Sequence, residues 1–80
     1  MKAINVTKLK TVNYHGVEVM IPEHIKFIAA DKSGLALGFV DSPVPIERLD
    51  WWDASTGSDM YEVGTFDLEG MDWKDSLQSV

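Results

Sequence analysis

The sequence IKFIAADKSGLALGFV, residues 25–40, predicts the central hairpin of an antiparallel sheet. Alternate positions on both sides of its turn are apolar, namely Ile25, Phe27, Ala29, Leu35, Leu37 and Phe39. Asp31 at the first position and Gly34 at the last position of the turn suit a type I turn that closes a hairpin with a bulge. The residues between the alternating positions are also mostly apolar, so we expect both faces to be covered and the hairpin to lie centrally.

The residues before this hairpin predict a second one. Residues 4–14 are rich in β-branched side chains, which favour a strand over a helix. His15 and Gly16 then predict a turn, because glycine adopts positive φ without a steric cost. Apolar residues alternate over 17–21, and Pro22 ends that strand because proline has no N–H to donate.

The residues after residue 40 are less regular. Residues 41–45 contain two prolines and predict a loop. Residues 46–52 leave two structures open, a short helical turn or a strand that leads into two adjacent tryptophans. Residues 54–59 predict a polar turn, and residues 60–66 predict a final strand.

The end of the chain, residues 66–80, is predicted to be an acidic tail with a short helix at about residues 73–78. Asp72 places an N-cap acceptor three residues before a second carboxylate, an acidic version of the capping box. Trp73 and Leu77 lie four residues apart and share one helix face. Because so short a helix is unstable alone, we expect these two side chains to dock on the sheet or on another molecule.

These elements predict one domain that spans residues 1–80. We expect it to be mostly β, a small antiparallel sheet of four to six short strands with a C-terminal helical turn. The 80 residues are 45% hydrophobic and 25% charged, which is an ordinary globular composition. Cysteine is absent, which excludes a disulfide scaffold, a thiolate metal site and cysteine catalysis. No apolar run approaches the roughly 20 residues of a membrane span, so no membrane role is expected.

The net charge of −6 is unevenly distributed along the chain. Residues 41–80 carry ten carboxylates and two cations, a charge of −8, whereas residues 1–40 carry five lysines and three carboxylates, a charge of +2. Phosphates repel an acidic chain, so direct nucleic-acid binding is not expected. The acidic half could meet a partner with a basic surface, or it could serve only solubility.

The terminal sequence DLEGMDWKDSL, residues 67–77, is the most specific part of a resemblance that covers nearly the whole chain. With Tyr14-His15-Gly16-Val17, Ile21-Pro22, residues 26–34 and Trp51-Trp52, it resembles small proteins of unknown function encoded by tailed phages or prophages. The resemblance implies a phage origin and a bacterial cytoplasmic location. It implies no activity and therefore supplies no catalytic residues. Because phages devote many short reading frames to binding host proteins, it favours a binding role.

Catalytic and metal-binding patterns are weak. His24 and its neighbour Glu23 point to opposite faces of an extended chain, and His15 lies in a predicted turn at the surface, so we expect no metal ion. Asp50 and Asp53 could imitate a glycosidase carboxylate pair, but 80 residues offer little material for a cleft. The serines, including Ser76, fall in predicted turns or at the terminus. We therefore expect no enzyme activity and no cofactor.

The aromatic residues give the stronger signal, because tryptophan is enriched at binding hot spots. Trp51 and Trp52 cannot both face inward on an extended chain. One possibility is that both tryptophans pack in the core, one of them as a lid. The other is that one tryptophan is exposed between two aspartates and anchors a partner. The candidate partner-binding residues are Asp50, Trp51, Trp52, Asp53, Asp72, Trp73 and Asp75.

Three functions follow as hypotheses. The first is a cytoplasmic interaction protein that binds and modulates a host or phage protein through the acidic half and an exposed tryptophan. The second is a DNA mimic that inhibits a nuclease, a restriction enzyme or another DNA-binding enzyme, although ten acids in forty residues are less dense than the charges of duplex DNA. The third is a homo-oligomeric structural or assembly protein that pairs open sheet edges.

Overall fold

The computed structural model describes residues 1–4, 6–55 and 59–80, and the described chain is mostly β. Its strands are β1 (Leu9–Tyr14), β2 (Val17–Pro22), β3 (Phe27–Ala30), β4 (Leu35–Phe39), β5 (Val44–Ile46), β6 (Trp51–Asp53), β7 (Tyr61–Thr65) and β8 (Gln78–Ser79). Two single 3-10 turns, Glu47–Leu49 and Trp73–Asp75, are the helical elements of the described residues. No helix in this part of the chain is long and apolar enough to cross a membrane.

A four-stranded antiparallel sheet in the order β7-β4-β3-β8 forms the centre of the molecule. The hairpin of β3 and β4 occupies its two inner positions, with Phe27 opposite Phe39 and Ala30 opposite Ala36. This confirms the prediction that residues 25–40 lie centrally. β1 pairs with β2, and β5 pairs with β6, as two separate antiparallel hairpins.

Both faces of the central sheet are covered, which explains why both faces of its inner strands are apolar. On one face, Tyr14 and Ile21 of the β1–β2 hairpin join a buried cluster that includes Ile28 of β3. On the other face, Trp52 and Trp73 join the cluster of Ala29 and Phe39. The molecule therefore has three layers, with the central sheet in the middle.

The two predicted turns have the backbone conformations that their residues favour. His15 and Gly16 have φ values of 48° and 88°, as a two-residue hairpin turn requires. In the turn between β3 and β4, Gly34 N donates to the Asp31 carbonyl at 3.0 Å. Asp31 Oδ1 also accepts from Ser33 N at 2.8 Å, so the aspartate side chain stabilises the turn.

Two predictions, for residues 4–14 and for residues 41–45, need correction. The strand predicted at residues 4–14 begins only at Leu9, because its partner β2 ends at Pro22, opposite Leu9. One further bond, from Glu23 N to the Lys8 carbonyl at 2.8 Å, ends the pairing. Residues 41–45 are not wholly a loop, because Val44–Ile46 forms β5 and pairs with β6.

The structure defines most of the segment from residue 46 to residue 66. Residues 46–52 contain both of the proposed structures, the Glu47–Leu49 turn followed by strand β6. Of the polar turn predicted at residues 54–59, residues 56–58 lie outside the described residues. The final predicted strand, residues 60–66, corresponds to β7.

The C-terminal helix is shorter than predicted. Helical structure covers Trp73–Asp75, and the chain then extends as β8, which pairs with Phe27 and Ile28 of β3. The free edge of β3 offers backbone partners to the tail, and these bonds replace the helical ones expected up to residue 78. The N-cap prediction is confirmed, since Asp72 Oδ1 accepts from Lys74 N at 2.9 Å.

Candidate functional site

Strand β6 directs its two tryptophans to opposite sides. The residue before them, Asp50, adopts a left-handed conformation with φ of 57° and ψ of 32°. The strand then leaves Trp51 49% exposed and buries Trp52 to 6% exposure. One tryptophan is thus available to solvent and the other belongs to the core, as the alternation of a strand requires.

Trp52 and Trp73 form the lid over one face of the sheet. Their rings meet edge to face, with centroids 5.7 Å apart and planes at 86°. The indole N–H of Trp52 donates to the Ala30 carbonyl at 2.9 Å, so its polar atom is satisfied inside the protein. These two predicted site residues therefore pack in the core, and of the three tryptophans only Trp51 is exposed.

Two open grooves flank Trp51. The first measures about 350 Å³ and is also lined by Asp31, Lys32, Ser33, Leu49 and Asp50. The second measures about 320 Å³ and is also lined by Asp31, Leu35, Leu37, Trp52, Asp53 and Met60. Leu49 and Met60 are exposed as well. We call Leu49, Asp50, Trp51, Asp53 and Met60 the Trp51 surface.

Contacts with the turn between β3 and β4 and with Glu47 hold Asp50, the residue before Trp51, in place. The Lys32 backbone N–H donates to the Asp50 carbonyl at 3.1 Å. The Lys32 ammonium lies 3.8 Å from the Asp50 carboxylate. Asp50 N also donates to the Glu47 carbonyl at 3.2 Å. A surface held by its own backbone loses little entropy when a partner binds.

Asp72 and Asp75, the remaining candidate partner-binding residues, lie around Lys74 at the Trp73–Asp75 turn. The Lys74 ammonium contacts a Glu47 carboxylate oxygen at 2.9 Å and an Asp72 oxygen at 4.0 Å. The hydrogen bond to Glu47, and then the nearby negative charges, Asp75 among them, raise the pKa of Lys74. A groove that contains Asp72 also contains Lys32, so the two acidic regions share one side of the molecule.

On the side of the molecule that carries Trp51 and Lys74, some carboxylates form salt bridges with lysines and others do not. Asp50 and Asp72 each lie beside a lysine. Asp53 and Asp75 form no salt bridge with another described residue. Asp53 is therefore the acidic residue next to Trp51 whose charge stays available to a partner.

Ser76, which the sequence placed in an ordinary turn, is a buried connection point with 1% exposure. Its hydroxyl accepts from Ala30 N at 2.8 Å and lies 2.6 Å from the Trp73 carbonyl, to which it can donate. Its carbonyl accepts from the Tyr14 hydroxyl at 2.9 Å. The partners lie up to 62 residues away, so no local pattern could have revealed this role.

The same contacts determine the environment of Tyr14 and His15. Burial raises the pKa of the Tyr14 hydroxyl, and its hydrogen bond to Ser76 opposes that shift in part. His15 Nε2 lies 2.9 Å from the Ser76 carbonyl. Because the Ser76 hydroxyl is buried and engaged with backbone, its role is structural.

Ser76→Ala is expected to lower the free energy of unfolding by about 1–3 kcal/mol, because it leaves the buried Ala30 N–H without its acceptor. Urea unfolding followed by circular dichroism measures this loss. Ser79→Ala changes an exposed serine of β8 and is the matched control, with an expected change below about 0.5 kcal/mol. Equal losses in the two variants would contradict the role assigned to Ser76.

Comparisons with known protein families, with curated proteins and with solved structures found no match. Within the described ranges, no group of three or more histidine, aspartate or glutamate side chains could hold a metal ion. The Trp51 surface and the charges around it are the features of the described residues that bear on function.

Proposed function

We propose that the protein acts by protein–protein contact and that the Trp51 surface is its contact site. The observation that carries this proposal is the half-exposed indole of Trp51 between two grooves. An indole of this kind buries a large area at little conformational cost, which is why tryptophan is frequent at hot spots. The resemblance to small phage proteins extends the proposal to a phage accessory protein that binds a host or phage protein in the bacterial cytoplasm.

Electrostatics favour a partner with a basic surface. The half of the chain that carries Trp51, residues 41–80, has a net charge of −8. A field of one sign speeds the encounter with a partner of opposite sign, and salt screens it. We therefore expect the association to weaken as ionic strength rises.

DNA mimicry has less support than protein contact. A mimic must offer its carboxylates to a DNA-binding enzyme, yet Asp50 already pairs with Lys32. Glu47 and Asp72 pair with Lys74 in the same way. These lysines reduce the negative charge around Glu47, Asp50 and Asp72.

Assembly through open sheet edges also has less support. β7 is one edge of the central sheet, and its pairing with β4 is interrupted by a register shift between Ala36 and Leu37. β8, the other edge, has only two residues. Bulged and very short edge strands are two devices that proteins use to prevent edge-to-edge pairing.

Trp51→Ala is expected to remove the specific partner, with a loss of affinity of about 30-fold or more, which corresponds to a hot-spot contact of about 2 kcal/mol. The immobilised wild-type protein is exposed to lysates of uninfected and phage-infected bacteria at low and high salt. Mass spectrometry identifies what it retains, and the affinity is then measured with the purified partner.

Met20→Ala is the matched control, because Met20 is also an exposed large hydrophobic residue, 61% exposed against 49% for Trp51, but lies on β2, outside the Trp51 surface. The proposal expects this variant to bind like the wild type. A partner that is retained equally by the wild type, Trp51→Ala and Met20→Ala would contradict it.

A further inference from the structure

The groove between Trp51 and Met60 combines an apolar floor with two carboxylates. Leu35 and Leu37 of β4 are half-buried and contribute its apolar floor. The exposed side chains of Trp51 and Met60 also line it. At about 320 Å³, the groove lies at the lower end of the range for small-ligand sites, with room for one long side chain.

Two acidic residues, Asp31 and Asp53, line this groove. Asp31 uses Oδ1 to accept from Ser33 N and Leu35 N, at 2.8 and 3.2 Å, and no described residue hydrogen-bonds to its Oδ2. Asp53 has no salt bridge with a described residue. Lys32 lines the groove on the other side of Trp51 and pairs there with Asp50.

We infer that this groove accepts an arginine side chain of the protein partner, an inference that rests on the proposed function. The three methylenes of arginine match the floor of Leu35 and Leu37, and its planar guanidinium can stack on the Trp51 ring. The same group donates to carboxylates, and two of them border the groove. A purely apolar side chain would cover these carboxylates without giving them a hydrogen-bond partner.

The test is a nuclear magnetic resonance titration of the isotopically labelled full chain with N-acetyl-arginine methylamide. The expected result is a saturable set of shifts in the Trp51 indole N–H and in the methyl groups of Leu35, Leu37 and Met60. N-acetyl-citrulline methylamide has nearly the same shape without the charge. It should bind about three- to fivefold more weakly, the fold-change of an exposed cation–π contact.

Asp53→Asn should weaken arginine binding by a similar factor of about three or more, because it removes a charge-assisted hydrogen bond. Asp67→Asn removes the same charge from an exposed aspartate outside this groove and should leave the affinity unchanged. Equal binding of arginine and citrulline, or equal effects of the two variants, would overturn the inference.

The outcomes separate this inference from the proposed function. If Trp51→Ala loses the partner but arginine does not shift the groove resonances, the contact site stands and the arginine assignment is wrong. If arginine binds as expected but Trp51→Ala retains the partner with unchanged affinity, the proposed function is wrong.

Discussion

Replacing Gly34 by alanine is expected to unfold the domain or to leave it barely stable. Gly34 has a φ of +93°, and an added Cβ would meet the backbone carbonyl oxygen of Phe66. Neither backbone can move away easily, because Phe66 N donates to the Gly34 carbonyl at 2.8 Å. An 80-residue domain has a total stability of about 4–12 kcal/mol, and a backbone clash at the end of its central sheet removes a large part of it.

Gly16→Ala separates the clash from the unusual backbone conformation. Gly16 has nearly the same φ, +88°, but apart from its chain neighbours no described residue has an atom within 4 Å of an added Cβ. Its replacement should therefore cost only the left-handed conformation of alanine, about 1–2 kcal/mol. Urea unfolding of both variants, followed by circular dichroism, measures the difference. Equal losses would show that the sheet adapts around Gly34 and would contradict the expected clash.

The sequence predicts the region around Gly34 well because its structure is determined locally. The alternation on both sides of residues 31–34 sets the strands, and Asp31 with Gly34 sets the turn. The elements that were missed depend on distant partners. Val44–Ile46 becomes a strand through β6, and Gln78–Ser79 becomes one through β3, and neither segment has a strong pattern of its own.

The candidate site could be predicted only in part, for the same physical reason. Alternation requires that Trp51 and Trp52 face opposite ways, but it does not say which of them is buried. That choice depends on Asp50, whose left-handed conformation precedes the strand, and on the Ala30 carbonyl, which accepts the Trp52 N–H from 22 residues away. Ser76 was missed because its partners are equally remote.

Trp52→Ala is expected to lower the free energy of unfolding by about 3–5 kcal/mol, the range for a large aromatic side chain removed from a core. The change removes the edge-to-face contact with Trp73 and the hydrogen bond to the Ala30 carbonyl. Trp51→Ala deletes the same side chain from the adjacent, half-exposed position and should cost less than about 1 kcal/mol. Urea unfolding measures both variants under the same conditions.

The contrast between these adjacent tryptophans also connects stability to the proposed contact site. If Trp51 were part of the core, its removal would destabilise the fold, and a lost partner would then report unfolding instead of a lost contact. A stable Trp51→Ala variant that fails to bind excludes that explanation, because Trp52 still covers the sheet with Trp73. Equal losses of stability at the two positions would contradict the division between core and surface and would remove Trp51 from the proposed contact site.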